Sequence, residues 1–122
     1  MEALAKGGET VIFIMGSLNN NEPNIFHLSA RIKYENFVFS DDFITNLFSD
    51  LAKAINSKII ETKIFRLKPQ GITAVSLLTE SHINIHIWEE LNFAYFDLAT
   101  SATVNKAEEK VRKVLKSYFK GI

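Results

Sequence analysis

Between about residue 58 and residue 98, four strand-like segments follow one another with only turns between them. They run at about 58–66, 71–79, 82–88 and 92–98, with Pro69-Gln70-Gly71 between the first two and Glu89-Glu90-Leu91-Asn92 between the last two. Parallel neighbours need a crossover of about a dozen residues or more. Turns this short therefore permit only antiparallel neighbours.

Amphipathic helical stretches stand on either side of this run. In the first, Ile44, Leu47, Phe48, Leu51 and Ile55 recur at helical spacing. Ser40 or Asp41 is its expected cap, because a short oxygen-bearing side chain accepts the orphan N–H groups of a first turn. Asn56-Ser57 is its expected stop. In the second, Asn105 is the expected cap and Glu108 its reciprocal capping-box partner. Ala107, Val111, Val114, Leu115 and Tyr118 are expected to face inward, and Gly121 to end the helix. Its early acids (Glu108, Glu109) and late lysines (Lys113, Lys116, Lys120) follow the order a helix dipole favours.

Upstream, residues 10–15 read as a short buried strand, 16–24 as a turn-rich loop, and 26–34 alternate as a strand with Phe26, Leu28, Ala30 and Ile32 on one face. Five or six strands and two helices predict an α+β two-layer sandwich, with an antiparallel sheet and both helices on one face.

A chain of 122 residues accommodates one domain. Its 14 basic and 14 acidic residues cancel, so the total charge carries no nucleic-acid or anionic-membrane footprint. With no cysteine, disulfides, thiolate metal sites and cysteine nucleophiles are excluded. The run Val11–Met15 is far too short to span a bilayer, and no cleavage site of small residues follows it. A soluble, cytoplasmic protein is expected.

The chemistry concentrates in Thr79-Glu80-Ser81-His82-Ile83-Asn84-Ile85-His86-Ile87-Trp88. As a strand, 82–88 puts Ile83, Ile85 and Ile87 on one face and His82, Asn84, His86 and Trp88 on the other. The isoleucines suit a core under the helices. A polar and aromatic opposite face is more than an uncovered sheet requires, and marks a candidate site. Zinc held by His82 and His86 is disfavoured, since residues four apart on a strand lie well separated and no third ligand is near. A serine hydrolase is disfavoured too, because Ser81 lies in no Gly-x-Ser-x-Gly elbow.

This stretch resembles the self-cleavage site of the small prokaryotic pyruvoyl-dependent S-adenosylmethionine decarboxylase proenzymes. The resemblance runs from about Phe26 to Ala102. It is densest in Gly71–Leu78, the Glu80-Ser81-His82 triplet, His86 with Trp88 two residues on, Glu90, and Asp97–Ala102, with His27-Leu28 similar to the family's first strand. It makes residues 1–25 an N-terminal extension and 26–120 the core of a single domain.

The resemblance implies that Ser81 attacks the carbonyl of Glu80, cleaves the chain there, and becomes a covalent pyruvoyl cofactor. That group would take the substrate amine as a Schiff base and act as electron sink while carbon dioxide leaves. By the same resemblance His86 assists processing, Thr73 supplies a hydroxyl to it, Ser101 stands at the proton-return position, Glu90 meets ribose hydroxyls and Trp88 lines the nucleoside pocket. The implied role is S-adenosylmethionine decarboxylation in polyamine (spermidine) synthesis, by a homodimer or a dimer of processed heterodimers.

The chain departs from the pattern at several positions. Thr73 replaces serine, which keeps the hydroxyl but stiffens its rotamer. Ser101 replaces a cysteine, substituting a far poorer acid for a thiol of pKa about 8.5. Ile87 and Glu89 replace threonine and proline, and Ala99 and Ala102 replace phenylalanine and glycine. Two alternatives remain open: an arginine decarboxylase on the same fold, and a non-processing, catalytically silent homologue serving as a binding or regulatory subunit.

Overall fold

A computed structural model describes the backbone of Glu2–Ala5, Glu9–Met15 and residues 23–119, and the side chains of residues 23–119. The strands are β1 (Glu2–Ala5), β2 (Glu9–Met15), β3 (Phe26–Lys33), β4 (Ile59–Arg66), β5 (Ile72–Leu78), β6 (Ser81–Trp88) and β7 (Phe93–Thr100). The helices are α1 (Asp41–Ala54) and α2 (Ala107–Phe119), and a 3₁₀ turn spans Glu89–Leu91. All seven strands join one antiparallel sheet in the order β1-β2-β3-β7-β6-β5-β4. The expected α+β sandwich is therefore present, with seven strands among the described residues rather than five or six. The added strand is β1, which pairs with β2. Most of the expected loop 16–24 and the expected stop at Gly121 lie outside the described residues.

The two sheet faces differ as the alternation requires. Leu28, Ala30 and Ile32 of β3, Ile83, Ile85 and Ile87 of β6, and Ala94, Phe96 and Leu98 of β7 are buried beneath the helices. Ile44, Leu47, Phe48, Leu51 and Ile55, the stripe read from the sequence, are all buried against them. Full burial of each Leu, Ile or Phe side chain contributes about 1.5–3 kcal/mol, which makes this layer the source of the fold's stability. Tyr34, Phe37, Phe39, Phe43, Tyr118 and Phe119 close one end of the layer through edge-to-face contacts, such as Phe37–Phe43 at 4.7 Å between ring centres.

Helix α1 begins as expected: the Phe43 N–H donates to Ser40 Oγ at 3.0 Å. At its end Asn56 takes a left-handed conformation (φ 54°), a stop that asparagine tolerates. Helix α2 begins differently. The Lys110 N–H reaches the Lys106 carbonyl (3.0 Å), and Lys106 sits at φ 57°. Lys106 thus occupies the capping position, one residue after the expected Asn105. The Asn105–Glu108 capping box does not form; Glu108 instead accepts from Arg112 at 2.8 Å, one turn along. No helix among the described residues is long and apolar enough to cross a membrane.

Candidate active site

Strands β5 and β6 pair Leu78 with Ser81, so Thr79-Glu80 is a two-residue hairpin turn. Glu80 lies in the left-handed region at φ 59°. That conformation costs a residue with a Cβ about 1–2 kcal/mol, and such strain persists only where surroundings over-determine it. Here both sides of the turn are held. On one side Ser57 Oγ donates to the Thr79 carbonyl at 2.6 Å, and the Thr79 N–H donates to the Lys58 carbonyl at 3.0 Å. On the other, the Ser101 N–H donates to the Glu80 carbonyl at 3.0 Å. Ser101 Oγ lies 3.4 Å from that same carbonyl oxygen and 3.4 Å from Glu80 Oε1.

The carbonyl between Glu80 and Ser81 therefore has a backbone donor aimed at it and a hydroxyl beside it. Donors fixed in this way polarise a carbonyl and stabilise an oxyanion formed on it. Ser81 follows directly, and its Oγ donates to Thr100 Oγ1 at 2.5 Å. Glu80, Ser81 and Ser101 are thus brought together at one sheet corner. Thr100, which the sequence reading passed over, completes it.

Thr73 and His86 meet elsewhere. They are register partners on β5 and β6, and Thr73 Oγ1 lies 3.2 Å from His86 Nδ1. His86 projects from the uncovered face, with Trp88 at 6.2 Å between ring centres. Phe93 lies 5.6 Å beyond Trp88, and the Arg31 guanidinium 5.1 Å over Phe93. Trp88 is 39% exposed, so part of its side chain stays accessible on this face.

Glu90 is exposed, in the 3₁₀ turn just past Trp88. Its neighbour Glu89 is committed to structure: Oε1 accepts the Gly71 N–H at 2.8 Å and ties that turn to the β4–β5 connection. Burial, then the charges of Glu89 and Glu90, raise the pKa of Tyr34, so its phenol stays protonated beside them.

The structure does not bring Ser81 and His86 of one chain together. Ser81 lies on the isoleucine side of β6 and His86 on the opposite side. Five residues at about 3.3 Å each separate them by about 16 Å along the strand.

A second unanticipated cluster occupies the uncovered face. Asp97 accepts from His27 Nε2 and, at 3.2 Å, from Ser29 Oγ, while His82 Nε2 approaches its other oxygen at 3.6 Å. His82 is thus tied to Asp97 rather than to Ser81. The signal was in the sequence as three alternating strands, but the β3–β7–β6 adjacency that joins them was not.

Residues 33–121 match the S-adenosylmethionine decarboxylase family. The chain belongs to that family. It is 36% identical over 73 residues to an S-adenosylmethionine decarboxylase proenzyme of Methanococcus maripaludis, covering 60% of each chain. It is 32% identical over 94 residues to the proenzyme of Thermodesulfovibrio yellowstonii, covering 75% of this chain and 70% of that one. The matched part thus spans between 47% and 62% of the length of the Methanococcus relatives. Among solved structures, the adenosylmethionine decarboxylase of Aquifex aeolicus resembles it with a TM-score of 0.51 and 26% identity, over 62% of each chain.

Proposed function

We propose that this family member is a self-processing, pyruvoyl-dependent S-adenosylmethionine decarboxylase of polyamine (spermidine) synthesis, acting in the cytoplasm. The unit assigned to that work is residues 26–120, with 1–25 as an extension. One observation carries the reading: Glu80 is held in a left-handed conformation with its carbonyl on the Ser101 N–H, immediately before Ser81.

Ser81 Oγ forms a bond to the Glu80 carbonyl carbon, the C–N bond breaks, and the hydroxyl proton passes to the freed amine. The Ser101 N–H and Oγ hold the developing negative charge on the carbonyl oxygen. Loss of the Ser81 α-proton then expels the Glu80 carboxylate and leaves dehydroalanine, which hydrolyses to a pyruvoyl group with release of ammonia. When formed, that group supplies the electron sink for decarboxylation. The residues present fit it: a serine at a strained turn, with donors on the carbonyl to be cut. His86, oriented by Thr73, acts as the base for the elimination. Trp88 stacks on the adenine, Glu90 accepts the ribose hydroxyls, and Ser101 returns a proton to the product carbon.

Since Ser81 and His86 of one chain are far apart, a second copy completes the site. The uncovered sheet face suits that copy. Phe65 (66% exposed), Leu77 (52%) and Val75 (40%) present apolar area there beside Trp88.

The silent-subunit reading draws on Ser101, a poor acid where a proton must be delivered, and on Thr73, whose stiffer rotamer stands where the family has serine. Carbon dioxide release from carboxyl-labelled S-adenosylmethionine and arginine separates the readings. Release from S-adenosylmethionine, lost in Ser81→Ala, is expected. Release from arginine alone would transfer the assignment to the arginine enzyme, and none from either would favour the silent subunit.

A further inference from the structure

Thr100 is the last residue of β7 and the direct register partner of Ser81. It continues the buried series Ala94, Phe96, Leu98 and is only 2% exposed. Its Oγ1 accepts two hydrogen bonds, from Ser81 Oγ at 2.5 Å and from the Ala102 N–H at 3.0 Å. A hydroxyl has two lone pairs and one proton, so both acceptor positions of Thr100 are filled. The Ala102 N–H and the stiff β-branched χ1 fix where that oxygen sits.

The consequence falls on Ser81. Its hydroxyl can rotate among staggered positions, and one that donated to the Glu80 carbonyl would turn its hydrogen toward the group it must attack. Donation to Thr100 draws the proton to the core side and leaves the lone pairs of Oγ for the carbonyl carbon. We propose that Thr100 is a positioning residue for chain cleavage, holding the Ser81 hydroxyl in the orientation from which it attacks. The inference rests on the reading that Ser81 cuts its own chain. Thr100 gains and loses nothing in the reaction; the Ser81 proton still ends on the departing nitrogen.

The test follows the intact mass of the purified full-length chain over time for wild type, Thr100→Val and Thr100→Ser, with circular dichroism and thermal unfolding as controls. Valine keeps the shape and removes the acceptor, so cleavage slows at least about tenfold, as expected when a reacting group is misaligned. Serine restores the acceptor and keeps cleavage within about threefold of wild type. Neutral hydroxylamine, which intercepts an ester, does not rescue the valine variant, because Thr100 acts before the ester forms.

Wild-type cleavage in a folded Thr100→Val chain overturns the inference. So does a serine variant as slow as valine, or rescue of valine by hydroxylamine. Should valine prevent folding, Thr100→Cys, a weak acceptor, replaces it; slow cleavage is then expected, and the wild-type rate overturns the inference. A wild-type chain that never cleaves instead removes the underlying reading, and the role of Thr100 with it.

Discussion

The two ends of β6 are built on different principles. At the Ser81 end the turn and the groups next to the Glu80–Ser81 bond are held: the turn is pinned by Ser57 and Lys58, the Glu80 carbonyl by Ser101, and the Ser81 hydroxyl by Thr100. At the Trp88 end the side chains are half open, with His86, Trp88, Phe93 and Arg31 making a strip of rings and charge on the uncovered face. The first end is suited to a reaction of the chain on itself, which needs fixed geometry. The second is suited to receiving a flat ligand or another molecule. One strand carries both, about 16 Å apart, and the proposed function therefore calls on a second copy to join them.

That contrast is open to direct attack. The largest effect is expected from mixing variants. Ser81→Ala and His86→Ala chains are each uncut alone, but co-expressed they form mixed pairs in which the His86→Ala chain is cut by its partner's histidine. If each chain used its own His86, the mixture would stay whole on a denaturing gel.

Next in size is the layer that positions both ends. Phe48 is fully buried beneath the sheet, and Phe48→Ala is expected to cost about 3–5 kcal/mol by urea unfolding. A loss under 1 kcal/mol, roughly that of a surface change, would mean that α1 does not anchor the sheet.

Ser101→Cys sharpens the Ser81 end. A thiol is the better acid at the proton-return position, so turnover of processed enzyme is expected to rise on the order of tenfold. No gain would remove Ser101 from proton delivery.

The smallest effect lies remote from both ends. Burial, then the hydrogen bond to Asp50 and its charge, push the Tyr118 phenol from 10.0 up to about 12. The unfolded chain therefore releases this proton first. The stabilisation is complete below pH 10 and declines as the pH rises toward 12. Tyr118→Phe should flatten that decline in urea midpoints measured from about pH 9 to pH 11.

Much of this was legible because alternation and helical spacing are local. The α1 stripe, the Ser40 cap and the opposed faces of 82–88 followed from side-chain period alone. What was not legible depends on which strands become neighbours. Strand β7 runs to Thr100, two residues past its expected end, and only its pairing with β6 puts Thr100 on Ser81 and Ser101 on the Glu80 carbonyl. The Asp97 cluster likewise needs β3 beside β7. The α2 start was misread because Asn105 and Lys106 both lie in a connection whose conformation no period constrains. Proximity of Ser81 and His86 in sequence also hid that a strand sends them to opposite faces.

The most direct test of the central claim is the intact mass of the purified wild-type chain after prolonged warm incubation. The expected result is two fragments, one ending at Glu80 and one whose first residue is a pyruvoyl group, reactive toward a carbonyl reagent. A single uncut mass with no carbonyl reactivity would contradict the account.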